Sequence, residues 1–154
     1  MLQMRIELTS QEIQIASMVG IQRQVEDIEK RKSSFRGETQ TGAWQRHIEG
    51  ALAECAFAKY LNVYWSKRPY PLPDVYDSEV RSTPYLSGVM AIDPIDKDDR
   101  KYYLLTGING SYTIRGWLYG KDCKRPEWWR KLRQDRPECF CVPQSALKSL
   151  NDKE

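Results

Sequence analysis

Acidic and basic side chains that together suit a metal ion and a phosphate lie close to one another in mid-chain. Asp74 follows Pro73 directly, and Glu79, Val80 and Arg81 come a few residues later. In a strand, residues 79 and 81 point to the same face, and a tight turn after Asp74 would bring its carboxylate beside Glu79. Two carboxylates and the carbonyl of Val80 form an oxygen-rich set that suits Mg²⁺, with Mn²⁺ as an alternative ion. Such an ion activates water and neutralises charge that develops on a phosphate.

A further carboxylate, that of Glu54, lies in an alanine-rich segment that predicts a helix over about residues 43–61. Gly50 inside this helix costs about 1 kcal/mol relative to alanine, which indicates either a close backbone approach or a tolerated defect. His47 shares nearly one helix face with Glu54. It is therefore either a base or orienting group near the site, or a surface or capping residue. Glu49 is expected to be solvated and is the reserve candidate if the helix register differs.

The order of these residues resembles the PD-(D/E)xK nuclease superfamily over about residues 43–120. The matching pieces are Glu54 in a helix, Asp74 after a proline, and Glu79-Val80-Arg81 on a strand. The resemblance implies a restriction-endonuclease-like α/β core, in which a mixed central sheet is flanked by helices. It also implies magnesium-dependent hydrolysis of DNA phosphodiester bonds, with RNA as an alternative substrate. The catalytic residues that it implies are Glu54, Asp74, Glu79 and Arg81, and the metal ligands are Asp74, Glu79 and the carbonyl of Val80.

Arg81 departs from the family pattern, since it stands where the family usually has lysine. An arginine stays protonated and cannot handle a proton as lysine does, but it binds phosphate with two parallel donors. It can still stabilise charge on the phosphate in the transition state. Two interpretations stay open: a working nuclease, or a protein that retains the nuclease fold for binding DNA or another partner without hydrolysis.

A second basic segment follows the predicted strands and includes two adjacent tryptophans, Trp128 and Trp129. The residues predicted to contact nucleic-acid phosphates are Lys121, Lys124, Arg125 and Arg130. Either tryptophan could stack on a base or belong to the core, whereas Trp117 is predicted to be a core residue. The net charge of +3, from 24 basic and 21 acidic residues, does not by itself identify a nucleic-acid partner. Local patches of charge matter more than the net value.

Four aspartates form a cluster with the composition of a metal site, at positions 93, 96, 98 and 99. The segment lacks the glycine and the spacing of a calcium loop. We therefore interpret it as a charged hairpin turn between two strands.

The cysteines are Cys55, Cys123, Cys139 and Cys141. No signal for export precedes them, so reduced thiols are expected. Their spacing matches no paired CxxC pattern. We expect Cys55 and one of the two strand cysteines to be small core residues; zinc binding by the three later cysteines with His47 is the alternative.

The predicted element order is helix, helix, four strands, helix, strand, helix. A Thr9–Glu12 capping box begins the first helix, which runs to about residue 32 with Ile15, Met18, Val19, Val25 and Ile28 near one face. The predicted strands are 78–83, 88–92, 101–106, 112–119 and 139–142. The later predicted helices are 126–133 and 143–150. Hairpin turns are expected between the first four strands, most clearly at Asn109-Gly110; polar loops are expected over 33–42 and 67–73.

The length of 154 residues predicts a single domain, 1–154. The sequence has no apolar run of membrane-spanning length and no signal-peptide core. We therefore expect a soluble protein of the cytoplasm that has no membrane partner. A small solitary domain of this kind resembles phage-encoded accessory proteins, which would place it in the host cytoplasm. The oligomeric state stays open.

Overall fold

The computed structural model describes residues 3–30, 40–67 and 72–152, which form a mixed α/β fold with a mixed sheet and helices. This agrees with the predicted class. The predicted loops over 33–42 and 67–73 fall largely outside the described residues. Within those ranges, no helix has the length and apolar character needed to cross a bilayer.

Two long helices precede most of the sheet: α1 spans Ser10–Glu29 and α2 spans Gln40–Leu61. The predicted capping box is confirmed, since the Glu12 amide donates to Thr9 Oγ1 at 3.2 Å and the Thr9 amide donates to Glu12 Oε1 at 2.8 Å. Both exchanges satisfy amides that the first turn of a helix leaves without partners.

The close contact between the two helices is made by a glycine of α1. A Cβ atom at Gly20 would lie 2.5 Å from the Cα atom of Ile48 on α2. A Cβ atom at Gly50 would meet nothing within 4 Å. The close backbone approach, which was one of two interpretations of Gly50, is therefore found at Gly20.

In the part of the chain that the structure describes, seven strands form two sheets. The strands are β1 Met4–Glu7, β2 Ser78–Thr83, β3 Met90–Ile92, β4 Lys101–Ile108, β5 Ser111–Tyr119, β6 Trp129–Arg130 and β7 Cys139–Val142. The larger sheet has the order β1-β5-β4-β2, and the smaller has the order β3-β7-β6. Among these described strands, β2 and β4 pair in parallel and the other pairs are antiparallel.

The predicted hairpin turn between β4 and β5 is confirmed, because Asn109 and Gly110 have φ values of 57° and 90°. Positive φ at both central positions is what a tight hairpin of the right twist requires. The predicted hairpin between β2 and β3 is wrong. β3 pairs with β7 in the smaller sheet, and β2 pairs with β4 instead.

Two predicted helices are replaced by short turns. After a 3-10 turn at Pro126–Trp128, the chain enters β6, where Trp129 pairs with Phe140. The segment 143–150 forms only a 3-10 turn, Gln144–Ala146, and Lys148 then exchanges backbone hydrogen bonds with Trp117. Tertiary pairing with existing strands satisfies these backbone groups better than an isolated short helix would.

The sequence analysis did not identify β1, although Met4–Glu7 alternates apolar and charged residues. Its Ile6 side chain is buried, and the strand pairs with β5 at the sheet edge.

Each face of the larger sheet has its own apolar core. Phe57 of α2 packs with Val80 and Leu105 on one face. Tyr102 and Leu104 pack with the smaller sheet on the other. The two long helices therefore cover one face, and the small sheet takes the second face where flanking helices were expected.

Candidate metal centre and arginine-rich cleft

A tight turn brings Asp74 beside the start of β2. Val75 and Ser78 exchange backbone hydrogen bonds of 3.1 and 2.9 Å, and Tyr76 between them has a φ of 54°. The chain therefore reverses directly after Asp74, whose Oδ2 accepts from the amide of Val80 at 2.9 Å. The backbone of the strand thus fixes the aspartate next to the segment that follows the turn.

Asp74 and Glu79 are in direct contact, as the turn after Asp74 predicted. Their carboxyl groups are hydrogen-bonded to each other, and the guanidinium of Arg100 donates to Glu79 Oε1. Burial, followed by the charge of Asp74 and the hydrogen bond with Asp74, raises the pKa of Glu79 to about 7, whereas the hydrogen bond from Arg100 opposes this rise. Glu79 therefore keeps its proton over part of the pH range in which an ordinary glutamate has lost it.

Glu54 is buried on α2, with 6% of its surface exposed. Arg23 of α1 donates to its two oxygens at 2.6 and 3.0 Å, and the indole of Trp65 donates to Oε1 at 3.4 Å. Burial and the charge of Asp74 raise the pKa of Glu54 to about 7, against the opposing effect of Arg23. Because Asp74 acts on both glutamates, the three carboxyls predicted from the sequence form one electrostatic group.

Arg81 is held by an aspartate from the turn before β4. Its Nη2 lies 3.1 Å from Asp96 Oδ2, and its guanidinium carbon lies 5.0 Å from the centre of the Tyr102 ring. Arg81 Nη1 also donates to the carbonyl oxygen of Val80 at 3.3 Å. The arginine therefore contacts the same carbonyl oxygen that was predicted as a metal ligand.

A cleft of about 760 Å³ opens beside these residues. Glu54, Asp74, Val80 and Arg81 line it, whereas Glu79 does not. Among the described residues, five arginines line the cleft, and they come from four separate parts of the chain: Arg23, Arg46, Arg81, Arg133 and Arg136. The site thus combines carboxylates with cationic groups suited to an anionic ligand.

His47 also lines the cleft and is hydrogen-bonded to Asp27 of α1, with 2.9 Å between Nε2 and Oδ2. Burial, with the nearby charge of Arg46, lowers the pKa of His47. The imidazole is therefore oriented by a carboxylate from another helix. Glu49 is not simply solvated, because it accepts from the hydroxyl of Tyr112 and from the amide of Asn109.

The four predicted phosphate contacts of the second basic segment do not line this cleft: Lys121, Lys124, Arg125 and Arg130. Lys124 donates to the carbonyls of Pro94 and Asp96 and to Asp98 Oδ1. Its ammonium group is therefore bound within the connection between β3 and β4. Arg125 stacks over the Trp128 ring at 5.0 Å. The remaining predicted contacts, Lys121 and Arg130, are exposed.

The aspartates at 93–99 lie in the connection from β3 to β4. Asp93 is buried and pairs with Arg136 at 2.8 Å, and Asp96 and Asp98 pair with Arg81 and Lys124. They are thus structural anion partners, as the turn interpretation favoured, although the connection is not a hairpin because β3 and β4 do not pair.

All four cysteines are free thiols; Cys123, Cys139 and Cys141 are buried and Cys55 is partly buried. The predicted core position of a strand cysteine is confirmed, as is that of Trp117, which is 3% exposed. Among residues 3–30, 40–67 and 72–152, no three His, Cys, Asp or Glu side chains are grouped to hold a metal ion.

Arg23, Asp27 and Arg100 are part of the site, yet sequence reasoning missed them. Arg23 lies 31 residues from Glu54, and Arg100 lies 21 residues from Glu79. No local pattern connects residues at such separations. The chain shows no match to family models, to curated proteins or to solved structures.

Proposed function

We propose that this chain is a magnesium-dependent nuclease that hydrolyses DNA phosphodiester bonds. The observation that carries the proposal is the contact between the Asp74 and Glu79 carboxyls at the edge of a cleft lined by Glu54 and five arginines. Two neighbouring carboxylates repel each other, which destabilises the folded protein. Such arrangements are found at functional sites, where they serve binding or catalysis.

The donor set at this place fits a hard divalent cation. Magnesium is usually held by one or two carboxylates, with waters and substrate phosphate completing the octahedron. Asp74 and Glu79 supply two carboxylates, so a third protein carboxylate is not required, and the Val80 carbonyl is an additional oxygen. When bound, the ion would lower the pKa of a water and neutralise charge on the phosphate.

The arginines supply the interaction with the nucleic-acid backbone. Guanidinium groups bind phosphate oxygens through two parallel hydrogen bonds, and phosphate contacts fix the position of the backbone without reading its sequence. Arg133 is half-exposed at the cleft and pairs with Asp135 at 3.3 Å. We propose that the cleft arginines make the first contacts with DNA and that Lys121, Lys124, Arg125 and Arg130 extend the track.

We also propose that α2, β2 and β4 correspond to the core of the PD-(D/E)xK superfamily. Support comes from the packing of α2, which carries Glu54, on the sheet that contains the Glu79 strand. β2 also lies parallel to its neighbour β4. Catalysis would then depend on Glu54, Asp74 and Glu79, with Arg81 beside them.

A second candidate function is DNA binding without hydrolysis. It is favoured by the ion pairs Arg23–Glu54, Arg81–Asp96 and Arg100–Glu79, which occupy groups that a nuclease would use. In this case the carboxylates hold the arginines in place and the arginines hold the phosphates.

The test is cleavage of supercoiled plasmid by the full chain, with and without millimolar Mg²⁺. We expect cleavage that requires Mg²⁺ and is reduced at least about 100-fold by Asp74→Asn or Glu79→Gln, since each removes a ligand charge. Asp99→Asn and Glu138→Gln, which change exposed carboxylates elsewhere, should leave it unchanged.

Isothermal titration with Mg²⁺ and with an oligonucleotide separates the candidates. Salt-sensitive DNA binding without turnover would support the binding function. Absence of cleavage, ion binding and DNA binding would overturn both.

A further inference from the structure

Helix α1 has an apolar stripe on the side that faces away from α2. Its buried residues, Ala16, Gly20 and Gln24, pack towards α2. The large apolar side chains lie on the outer side, with Ile21 and Ile28 towards its edge, and are exposed: Ile15 by 56%, Met18 by 69%, Ile21 by 42%, Val25 by 39% and Ile28 by 54%. The two faces follow from the helical period, because positions 18 and 25 lie about half a turn from positions 16 and 20.

The spacing of the stripe is that of a helix-pairing seam. Met18, Ile21, Val25 and Ile28 are separated by three, four and three residues, which is the a/d repeat of helices that pack side by side. The residues beside the seam are mostly uncharged and include Gln14, Ser17 and Gln22. A second apolar helix can approach such a surface without burying an unpaired charge.

We propose that α1 is a dimer interface in which the seam packs against the same seam of a second copy of this chain, with the two helices antiparallel. A twofold axis between Ile21 and Val25 places Met18 opposite Ile28 of the partner subunit. The same patch then serves both copies, as a twofold dimer requires.

Charge distribution selects the antiparallel arrangement. The last part of α1 contains Glu26, Asp27 and Glu29 and has no basic residue in its last turn. A parallel pair would bring these acidic ends together, at the negative ends of both helix dipoles. An antiparallel pair with this axis places each acidic end opposite residues 17–20 of its partner, which are uncharged, and so keeps the two acidic ends apart.

The available area suits a weak but specific dimer. The five exposed side chains present roughly 450 Å² of apolar surface, in the range of the largest patch on an ordinary monomer. Two copies with their flanking glutamines would bury about 1,200 Å², the lower end for a specific interface. We therefore expect dissociation in the micromolar range.

The interface would lie directly behind the cleft. The buried side of α1 supplies Arg23 to Glu54 and Asp27 to His47. Pairing on the outer side would hold α1, and with it both side chains, in one position. This part of the inference does not require hydrolysis, since both contacts exist in the folded chain whatever the cleft binds.

Sedimentation equilibrium of the full chain over a range of concentrations tests the dimer. Ile21→Glu and Val25→Glu should each raise the dissociation constant at least about tenfold. Ile95→Glu, at a residue that is 67% exposed in the β3–β4 connection, should not change it. Circular dichroism establishes that each variant is folded. A monomer at all concentrations up to about 500 µM, well above the affinity expected for an interface of this size, would overturn the proposal.

A pair of double variants tests the orientation. In the antiparallel dimer, Met18→Glu with Ile28→Lys places opposite charges face to face across the interface. Met18→Glu with Ile28→Glu places like charges there. We expect the first variant to dimerise at least about tenfold more tightly than the second. Equal affinities would overturn the antiparallel arrangement. Plasmid cleavage is measured separately, so failure of the dimer and failure of the proposed nuclease function give different results.

Discussion

The carboxyl groups of Asp74 and Glu79 are hydrogen-bonded to each other, and the charge of Asp74 raises the pKa of Glu79. Replacing Asp74 by asparagine removes that charge. We therefore expect Asp74→Asn to lower the pKa of Glu79 from about 7 towards its ordinary value of 4.5. Carbon-13 NMR titration of the glutamate carboxyls measures the change. Asp99→Asn is the matched control, and an unchanged Glu79 midpoint in Asp74→Asn would contradict the electrostatic link.

The stability of the fold should depend on pH through Glu54 and Glu79. Both carboxyls have a pKa raised from 4.5 to about 7 in the folded chain. Between these values the folded state binds protons that the unfolded state has lost, so the free energy of unfolding falls as pH rises. Urea denaturation at intervals from pH 4.5 to 7.5 measures this slope. We expect a shallower slope in Asp74→Asn, because Asp74 contributes to both shifts; a rise in stability across the window would contradict the assignment.

The ion pair between Arg23 and Glu54 should be sensitive to loss of one partner. Arg23→Gln leaves the carboxylate of Glu54 buried without its cation, and we expect a loss of about 2 to 3 kcal/mol. This loss of stability is smaller than that of a fully buried ion pair because the Arg23 side chain is 25% exposed. Chemical denaturation provides the measurement.

A double variant distinguishes the loss of the Arg23–Glu54 ion pair from nonspecific destabilisation of the fold. Arg23→Gln with Glu54→Gln removes both charges and should be more stable than the sum of the single losses predicts. Arg5→Gln removes an arginine from an exposed pair with Glu7 and should change stability little. Additive losses in the double variant would indicate that the two residues are not coupled.

Arg81→Lys introduces the residue that the PD-(D/E)xK pattern usually has at the corresponding place. We expect it to destabilise the fold by about 1 to 2 kcal/mol, because lysine cannot keep the planar stacking on Tyr102 together with the contacts to Asp96 and Val80. Arg130→Lys, on an exposed edge strand, is the control. Thermal denaturation of both variants measures the difference in stability. Equal melting temperatures would contradict a stabilising role for the planar guanidinium group of Arg81.

Two glycines should respond in opposite directions to alanine. Gly20→Ala forces a Cβ atom against the backbone of Ile48, and we expect a loss of about 2 to 3 kcal/mol. Gly50→Ala places its Cβ in open space and should stabilise α2 by about 0.5 to 1 kcal/mol. Urea denaturation of both variants gives the comparison. Gly50 lines the cleft. If the Gly50→Ala variant is more stable and yet binds an oligonucleotide more weakly, the added methyl group obstructs DNA, which would indicate that DNA lies against α2.

The sequence by itself determined the elements whose signals are local. The first helix begins with a capping box between Thr9 and Glu12, which lie three residues apart. The hairpin turn at Asn109-Gly110 needs only two residues that tolerate positive φ. The contact of Asp74 with Glu79 belongs to the same class, since one short turn connects the two residues.

Only the tertiary structure decided which strands pair and which charges meet. β2 pairs with β4 rather than with its neighbour in sequence, β3, and the helix predicted at 126–133 gives way to β6 because β7 offers it backbone partners. Arg23, Arg81 and Arg100 each meet a carboxylate from another element. Such pairs depend on packing between distant segments, where burial makes an unpaired charge costly, and no spacing along the chain encodes them. The contact between Asp74 and Glu79 thus follows from a short local turn. The arginines beside these carboxyls are brought there only by the packing of distant segments.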